Sequence, residues 1–336
     1  MADAEKPYRV STLKLEIMKK VNLLSGLFLA AVVLFTACEK DEKGTRNIAS
    51  NAQEFTQKFG AQTQSFKINV SELPQTLSLK GGTKITFPVG SLTQNGMPVT
   101  GEVTVEAMEM LKRSDVLFSG TNTNHVSGAP LQSDGFIFID VKANGQSVDK
   151  NLAKPVNIKI PAKRDGGTQL WEGVQNDEKQ MAWQAPRPAN GAGQVDVKAQ
   201  NNEFAFNFGT LGWINCDVFW NYSNPKTTVR VEVLNNPGTM ATFRGYSGDT
   251  FVFFCAKGSN VAAQLYTPDG ANKVKSYDDM MPVGAEGRLF SFSIKDGKYY
   301  LAKKDITITA NQNETLSLVE TTESNIQAEI NALNNY

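Results

Sequence analysis

Histidine and cysteine are scarce in this sequence, whose 336 residues include one histidine and three cysteines. That supply of soft ligands is too small for a typical structural zinc site, so we expect no metal and no cofactor. Neither positive nor negative charge is in excess, because 34 Lys and Arg balance 34 Asp and Glu. A nucleic-acid-binding protein normally carries a basic excess or stripe, so we expect no nucleic-acid partner.

Familiar catalytic motifs are also missing. The sequence has no P-loop, no dinucleotide fingerprint, no nucleophile elbow and no His-Glu-x-x-His motif. Paired carboxylates of a glycosidase cannot be recognised, because a sequence does not give the distance between two acids. We therefore expect a protein that is not an enzyme.

Apolar residues form a run from position 21 to position 34, directly after two lysines. This length suits the core of a secretory signal and is too short for a comfortable membrane span. The run ends in Phe35-Thr36-Ala37-Cys38, which resembles the bacterial lipobox, whose cysteine thiol receives a diacylglycerol. The pattern predicts a lipoprotein signal peptide with an upstream extension over residues 1–37, and lipidation of Cys38. An ordinary signal or N-terminal anchor with an incidental cysteine is the alternative.

The residues after Cys38 are polar and begin with the dense charge cluster Glu39-Lys40-Asp41-Glu42-Lys43. Such a composition cannot bury a core, so residues 38–64 are predicted to be a solvated tether. The cluster resembles the export signal that follows the lipid cysteine in surface lipoproteins of Bacteroidota. That resemblance implies an outer-membrane lipoprotein on the cell surface, held to the membrane through its N-terminal lipid. Attachment facing the periplasm is the alternative.

Beyond the tether, apolar and polar residues alternate in short runs that turn residues such as Asn144-Gly145 interrupt. This alternation predicts an all-β protein with two β-sandwich domains. Residues 136–141 and 251–255 are apolar on both faces and are predicted central strands. The predicted segments are a sandwich over 65–165, an aromatic-rich connecting region over 166–224, a second sandwich over 225–320 and a short terminal helix over 321–336.

Two stretches of the first sandwich segment carry a family resemblance. They are Gly82-Thr-Lys-Ile-Thr-Phe-Pro-Val-Gly-Ser-Leu92 and Gly101-Glu-Val-Thr-Val105. A strand that runs into a proline, followed by a turn and a second strand, is similar to the ZU-type domain of ankyrins and netrin receptors. The segment also resembles a family of Bacteroidota lipoproteins that carries a phrase like Gly212-Trp-Ile-Asn-Cys-Asp217 downstream. The resemblance implies a Greek-key sandwich that serves in interaction or scaffolding. The second sandwich is similar only in general to Ig- or transthyretin-like modules.

His125 and Ser127 match a His-x-Ser sequence at which some ZU-type domains cleave themselves. In that reaction a strained peptide bond lets the serine hydroxyl attack the preceding carbonyl, with the histidine as base. Residues 120–130 are rich in Asn, Thr, Ser and Gly, which is typical of a loop where no strain is stored. We favour an exposed loop histidine and an intact chain, with self-cleavage as the alternative.

The connecting region is dense in aromatic residues, and one strand in it combines them with polar groups. Alternation places Trp213, Asn215 and Asp217 on one face of this strand. A flat ring beside an amide and a carboxylate is typical of a carbohydrate site, so these three residues are candidates for ligand binding. The alternative, which we favour, is a tryptophan that seals the seam between the domains and polar groups that satisfy backbone atoms.

Cys216 and Cys255 both lie in predicted strands. An exported protein can oxidise them, which makes them candidates for a disulfide. Two separate buried thiols are the alternative, because the sequence does not give the Cα distance that a bridge requires.

The function favoured by these observations is that of a non-enzymatic, lipid-anchored surface protein. Its β-sandwiches would bind or assemble with another envelope protein. A lipoprotein that captures carbohydrate in a glycan-uptake system is the alternative, and it depends on the aromatic residues of the connecting region.

Overall fold

The computed structural model describes residues 48–175, 181–186, 195–221, 223–241 and 248–336. These residues are mostly in β-strands, so the predicted all-β class is confirmed at that level. No helix in these ranges is both long and apolar enough to cross a membrane.

The helices and strands are numbered in chain order over the described residues. The α-helices are α1 (Ala52–Phe59), α2 (Arg113–Phe118) and α3 (Glu323–Ala332). The first half of the fold contains the strands β1 (Gln64–Asn69), β2 (Gln75–Ser78), β3 (Lys84–Phe87), β4 (Thr93–Gln94), β5 (Met97–Pro98), β6 (Glu102–Met110), β7 (Leu131–Ala143), β8 (Gln146–Ser147), β9 (Asn151–Pro161), β10 (Gly167–Gln175), β11 (Met181–Gln184), β12 (Asp196–Gln200), β13 (Glu203–Thr210) and β14 (Gly212–Phe219). The second half contains β15 (Lys226–Thr227), β16 (Arg230–Leu234), β17 (Thr250–Ala256), β18 (Ala262–Gln264), β19 (Thr267–Gly270), β20 (Lys273–Lys275), β21 (Met281–Pro282), β22 (Glu286–Lys295), β23 (Lys298–Thr307), β24 (Asn313–Ser317) and β25 (Val319–Thr321).

The first half is built on one sheet with the order β1-β6-β7-β14-β10-β12-β13-β9-β3-β2, to which β8 and β11 add at the side. Strand β12 pairs with both β10 and β13 and so joins two arms of this sheet. Each arm turns its apolar face to the other, because alternate residues of a strand point to the same side. We call the result the first core, which contains residues such as Val105, Ile139, Ile158 and Phe206.

Strands of the predicted connecting region belong to this same sheet. Strand β14 lies between β7 and β10, and β13 pairs with β9 over its length. The described residues of the predicted aromatic-rich connecting region over 166–224 therefore supply strands that complete the first core. The sequence pattern could not show this, because the pairing joins strands that lie far apart along the chain.

The second half contains a five-stranded sheet, β18-β17-β22-β23-β25, and a four-stranded sheet, β19-β20-β16-β24. Strand β16 runs parallel to β24, whereas the other pairs in these two sheets are antiparallel. Apolar residues of the two sheets meet in a core of their own, which we call the third core. Val231 and Val233 come from the four-stranded sheet, and Val252 and Phe254 come from the five-stranded sheet.

A middle core joins the two halves. Phe136, Trp171 and Trp183 of the first half cluster there with Phe253 and Phe292 of the second half. Strands β7 and β17 contribute residues both to the middle core and to a second core, so both faces of β17 and of the first part of β7 are buried. This confirms the predicted central strands over 136–141 and 251–255. The described residues from 48 onward form one compact unit.

The structure differs from the predicted tether over residues 38–64 in the second part of that segment. Asn51 caps α1, and its side-chain oxygen accepts a hydrogen bond from the Glu54 backbone N–H at 2.9 Å. Phe55 on this helix is buried in the middle core. A single apolar face on a short helix is enough to dock it, although the segment is polar on average.

Glu323 at the start of α3 holds the two ends of the described chain together. Its carboxylate pairs with Lys58 Nζ at 2.7 Å and accepts a hydrogen bond from the Ala49 backbone N–H at 3.1 Å. The Tyr299 hydroxyl donates to the Ala49 carbonyl at 2.6 Å and lies 2.8 Å from Glu323 Oε2. Helix α3 confirms the predicted short terminal helix, and its Ile326 and Ile330 side chains are buried.

Candidate functional site

Strand β14 positions the three candidate ligand-binding residues in the interior of the first sheet. Ile214 and Cys216 point into the first core, whereas Trp213 packs against the middle core, as strand alternation predicts. Asn215 and Asp217 are both 0% exposed, and Trp213 is half-buried. The polar pair therefore cannot touch a ligand on the surface of this structure, which is a correction to the candidate carbohydrate site.

The Trp213 ring is surrounded by protein on the side that faces the middle core. Its centroid lies 5.1 Å from that of Phe138 and 6.5 Å from that of Phe136. Gly173 lies so close that a Cβ added there would be 2.4 Å from the Trp213 Cβ. This close packing agrees with a tryptophan that seals a seam and leaves little of the ring for stacking on a sugar.

Asp217 is a buried carboxyl whose hydrogen bonds from Ser133, Asn215 and the Asp134 backbone do not offset the effect of its burial. Its Oδ2 accepts a hydrogen bond from Asn215 Nδ2 at 2.6 Å, and its Oδ1 has no partner. Burial raises the pKa of Asp217 well above its ordinary value, and the nearby Asp134 carboxylate adds to the increase. The Asp217 backbone carbonyl accepts a hydrogen bond from Trp171 Nε1 at 2.9 Å. Asp217 thus anchors part of the middle core through its backbone and favours a neutral side chain.

His125 and Ser127 are brought together in a tight turn. His125 Nδ1 lies 2.8 Å from Ser127 Oγ and accepts the Ser127 backbone N–H at 3.1 Å. The imidazole ring makes edge contacts with Trp171 at 5.2 Å and Phe219 at 5.0 Å between ring centroids. His125 is half-buried rather than exposed, because these rings cover it, and burial lowers its pKa.

The turn meets only one of the two requirements for self-cleavage. A neutral imidazole whose Nδ1 accepts hydrogen bonds could take a proton from the Ser127 hydroxyl. The attacked peptide would also need stored strain, and the described residues with positive φ include Gly128 but not His125, Val126 or Ser127. The geometry is therefore that of a relaxed turn whose histidine side chain satisfies a backbone N–H.

Cys216 and Cys255 are both free and buried, and they lie in different cores. The candidate disulfide is therefore absent from the structure, which shows the alternative of two separate thiols. Burial raises the pKa of Cys216 well above its ordinary value and that of Cys255 to about 11. Neither thiol is poised to act as a nucleophile near neutral pH.

Two further predictions concern metal binding and the lipid anchor. Among the residues that the structure describes, no group of His, Cys, Asp and Glu side chains could hold a metal ion. Cys38 and the charge cluster after it lie outside the described residues, so their roles stay predictions.

Sequence reasoning missed a cleft of about 420 Å³ between loops of the two halves. The residues that line it are mostly polar, and four of them are basic: Lys112, Arg113, Lys163 and Arg164. The sign of this cleft in the sequence is two pairs of neighbouring basic residues, Lys112-Arg113 and Lys163-Arg164. Nothing in their spacing shows that they meet, because β6 and β9, the strands that end just before them, lie in different arms of the first sheet.

Arg113 is the most deeply buried of these basic residues, with 4% of its surface exposed. Its Nη2 donates hydrogen bonds to the carbonyls of Ala256, at 2.7 Å, and Ser259. Its Nε and Nη1 are buried and have no hydrogen-bond partner. Burial lowers the Arg113 pKa, which reflects the poor solvation of this charge.

Comparison with protein families, with curated proteins and with solved structures finds no match for this chain.

Proposed function

We propose that this protein is a non-enzymatic, lipid-anchored protein of the outer membrane that presents a β-sheet body to another envelope component. The observation that carries the proposal is the succession of an apolar run over 21–34, the lipobox-like Phe35-Thr36-Ala37-Cys38 and the charge cluster over 39–43. A bacterial lipoprotein carries two or three acyl chains, and this number anchors a protein stably, whereas one chain does not.

We also propose a domain type for each half of the chain. The first half is a Greek-key sandwich of the ZU type, and the second half is an Ig- or transthyretin-like sandwich. The separate first and third cores support two sandwiches, each closed by its own apolar faces. Modules of these types serve mainly in interaction and scaffolding, which is consistent with a binding or structural role on the cell surface.

Lipid labelling tests the anchor. Cells that express the full chain receive a fatty acid with a clickable tag, and their outer membranes are separated. The chain and the matched control Ala37→Gly, which keeps a small residue before the cysteine, should be labelled and should fractionate with the outer membrane. Cys38→Ala should be unlabelled and released or mislocalised. An unlabelled wild-type chain, or a Cys38→Ala variant that stays in the outer membrane, would show that the proposal is wrong.

Protease treatment of intact cells tests which leaflet the protein faces. A surface protein should be degraded without permeabilising the outer membrane. Replacing Lys40, Asp41 and Glu42 by alanine should protect the protein, because the export signal is lost while lipidation at Cys38 remains. If the wild-type chain is degraded only after permeabilisation, attachment facing the periplasm replaces surface exposure.

A further inference from the structure

The cleft between the two halves carries an excess of positive charge. Among its lining residues Asp134 is the one acid, and it is already paired with Arg164 through contacts of 2.8 Å and 2.6 Å. Lys112, Arg113 and Lys163 form no ion pair with any acid in the described parts of the chain. Lys112 and Arg113 therefore lack a salt-bridge partner among the described residues, and Lys163 donates a hydrogen bond to the Leu111 carbonyl and lies within electrostatic range of Asp115 and Asp134.

We propose that this cleft is a binding site for a small molecule that carries an oxyanion, either a carboxylate, a sulfate or a phosphate. The inference goes beyond the envelope attachment proposed above and does not depend on it, because it concerns only residues 111–336.

The Arg113 guanidinium is the most deeply buried charge of the cleft. A buried charge is unfavourable unless it is paired and hydrogen-bonded, and Arg113 leaves Nε and Nη1 without acceptors. The two carbonyls that bind Nη2 fix the position of the planar group. A guanidinium keeps its charge in a folded protein, and a carboxylate, sulfate or phosphate is the ligand chemistry that matches it. Nε and Nη1 are closed off from solvent, so an oxyanion in the cleft would balance the Arg113 charge through the exposed part of the guanidinium and through Lys112.

The walls of the cleft are held in place before any ligand binds. Asn260 Nδ2 donates to the Ser133 carbonyl at 2.9 Å and so ties a loop of the second half to the first half. Asn334 forms two hydrogen bonds with Ser114, each at 2.9 Å. A prepared site loses less free energy on binding, since fewer groups must be ordered. The volume of about 420 Å³ is within the usual range for small-molecule sites.

Isothermal titration calorimetry of the purified chain tests the proposal with three oxyanion probes: inorganic phosphate, sulfate and glucuronate. Glucose serves as the uncharged control for glucuronate. At least one oxyanion should give saturable binding with one site per chain, and glucose should give none. The probe that binds identifies the type of oxyanion that the cleft accepts. Affinity should fall as salt is added, because the attraction is electrostatic.

Charge removal at the rim separates the cleft from general surface charge. Lys112 and Lys163 are exposed, so the double variant Lys112→Gln/Lys163→Gln should keep its fold and weaken binding by at least about tenfold. The matched control Lys80→Gln/Lys198→Gln removes two exposed lysines outside the cleft and should bind as the wild-type chain does. Arg113→Met should abolish binding, with its folded state checked by thermal unfolding.

Three results would overturn the proposal. One is a lack of saturable heat with all three oxyanions. The second is an equal loss of affinity in both lysine double variants, which would indicate adsorption to surface charge. The third is unchanged affinity in the rim variant or in a folded Arg113→Met variant.

Discussion

Replacing Asp217 by asparagine tests whether the buried carboxyl of β14 is neutral in the folded protein. The side chain is 0% exposed and its Oδ1 has no hydrogen-bond partner. Burial first, and then repulsion from Asp134, raise the pKa of Asp217 well above its ordinary value. Asparagine has nearly the same shape and can keep the contact with Asn215, but it cannot ionise.

The direction of the effect follows from proton linkage. Because the pKa of Asp217 is raised in the folded state, folding favours the protonated form. Stability is therefore complete below the ordinary pKa of aspartate, about 3.9, and is lost as the pH rises through the window up to the folded pKa. Within that window the wild-type chain should lose about 1.4 kcal/mol per pH unit relative to Asp217→Asn. Other titrating groups, including Asp134, are present in both proteins and largely cancel in the difference.

Urea unfolding at several values from about pH 4.5 to pH 8 measures this difference in the free energy of unfolding. The stability of Asp217→Asn relative to the wild-type chain should increase with pH. The matched control is Asp296→Asn, which changes an exposed aspartate in the turn between β22 and β23, where its φ of 50° also suits asparagine. A pH trend that appears for Asp217→Asn and not for this control is specific to the buried carboxyl.

Two results would refute the reasoning about Asp217. A relative stability that does not change with pH would mean that the carboxyl has the same pKa in the folded and unfolded states. A relative stability that falls with pH would mean that an ionised Asp217 stabilises the fold. Either result would show that the interior around Asn215 solvates a charge well.

Two other predictions concern the aromatic residues and the turn at Ser127. Trp183→Ala should cost about 3–5 kcal/mol in urea unfolding, because its ring is fully buried and its Nε1 donates to the Asn122 carbonyl at 3.1 Å. The half-buried Trp213 should cost less when changed to alanine, and an equal or larger loss would contradict this ranking. The purified chain should run as one intact polypeptide, with or without Ser127→Ala, because the turn is relaxed. Two fragments that meet at Ser127 and vanish in Ser127→Ala would contradict it.

Local pattern was sufficient to predict the mostly β character, the central strands over 136–141 and 251–255, and the terminal helix. Phe136 and Ile137 of β7, and residues 251–255 of β17, point alternately into two cores. Alternation also assigned the correct faces to Trp213 and Cys216 in β14. These features follow from the order of apolar and polar residues within one strand or helix, and that order can be read from the sequence.

Features that depend on long-range pairing could not be predicted. Asn215 and Asp217 are fully buried on the face of β14 that carries Trp213 and packs against the middle core, and the alternation of β14 gives no sign of that layer. His125 was expected to be an exposed loop residue because its neighbours are polar, but the rings that cover it come from β10 and β14. The cleft at Arg113 has the same origin, since loops of two halves form it.

The middle core decides how this chain can be divided. Phe136 and Trp183 on one side and Phe253 and Phe292 on the other lose contact with water only when both halves are present. A cut between β14 and β15 would leave each piece with a broad apolar sheet face, and exposed faces of this kind drive aggregation. The halves are consequently poor candidates for separate expression or for exchange between proteins. A fusion protein that is to stay soluble would have to contain both halves, because only together do they cover the middle core. This holds although each half also has a core of its own.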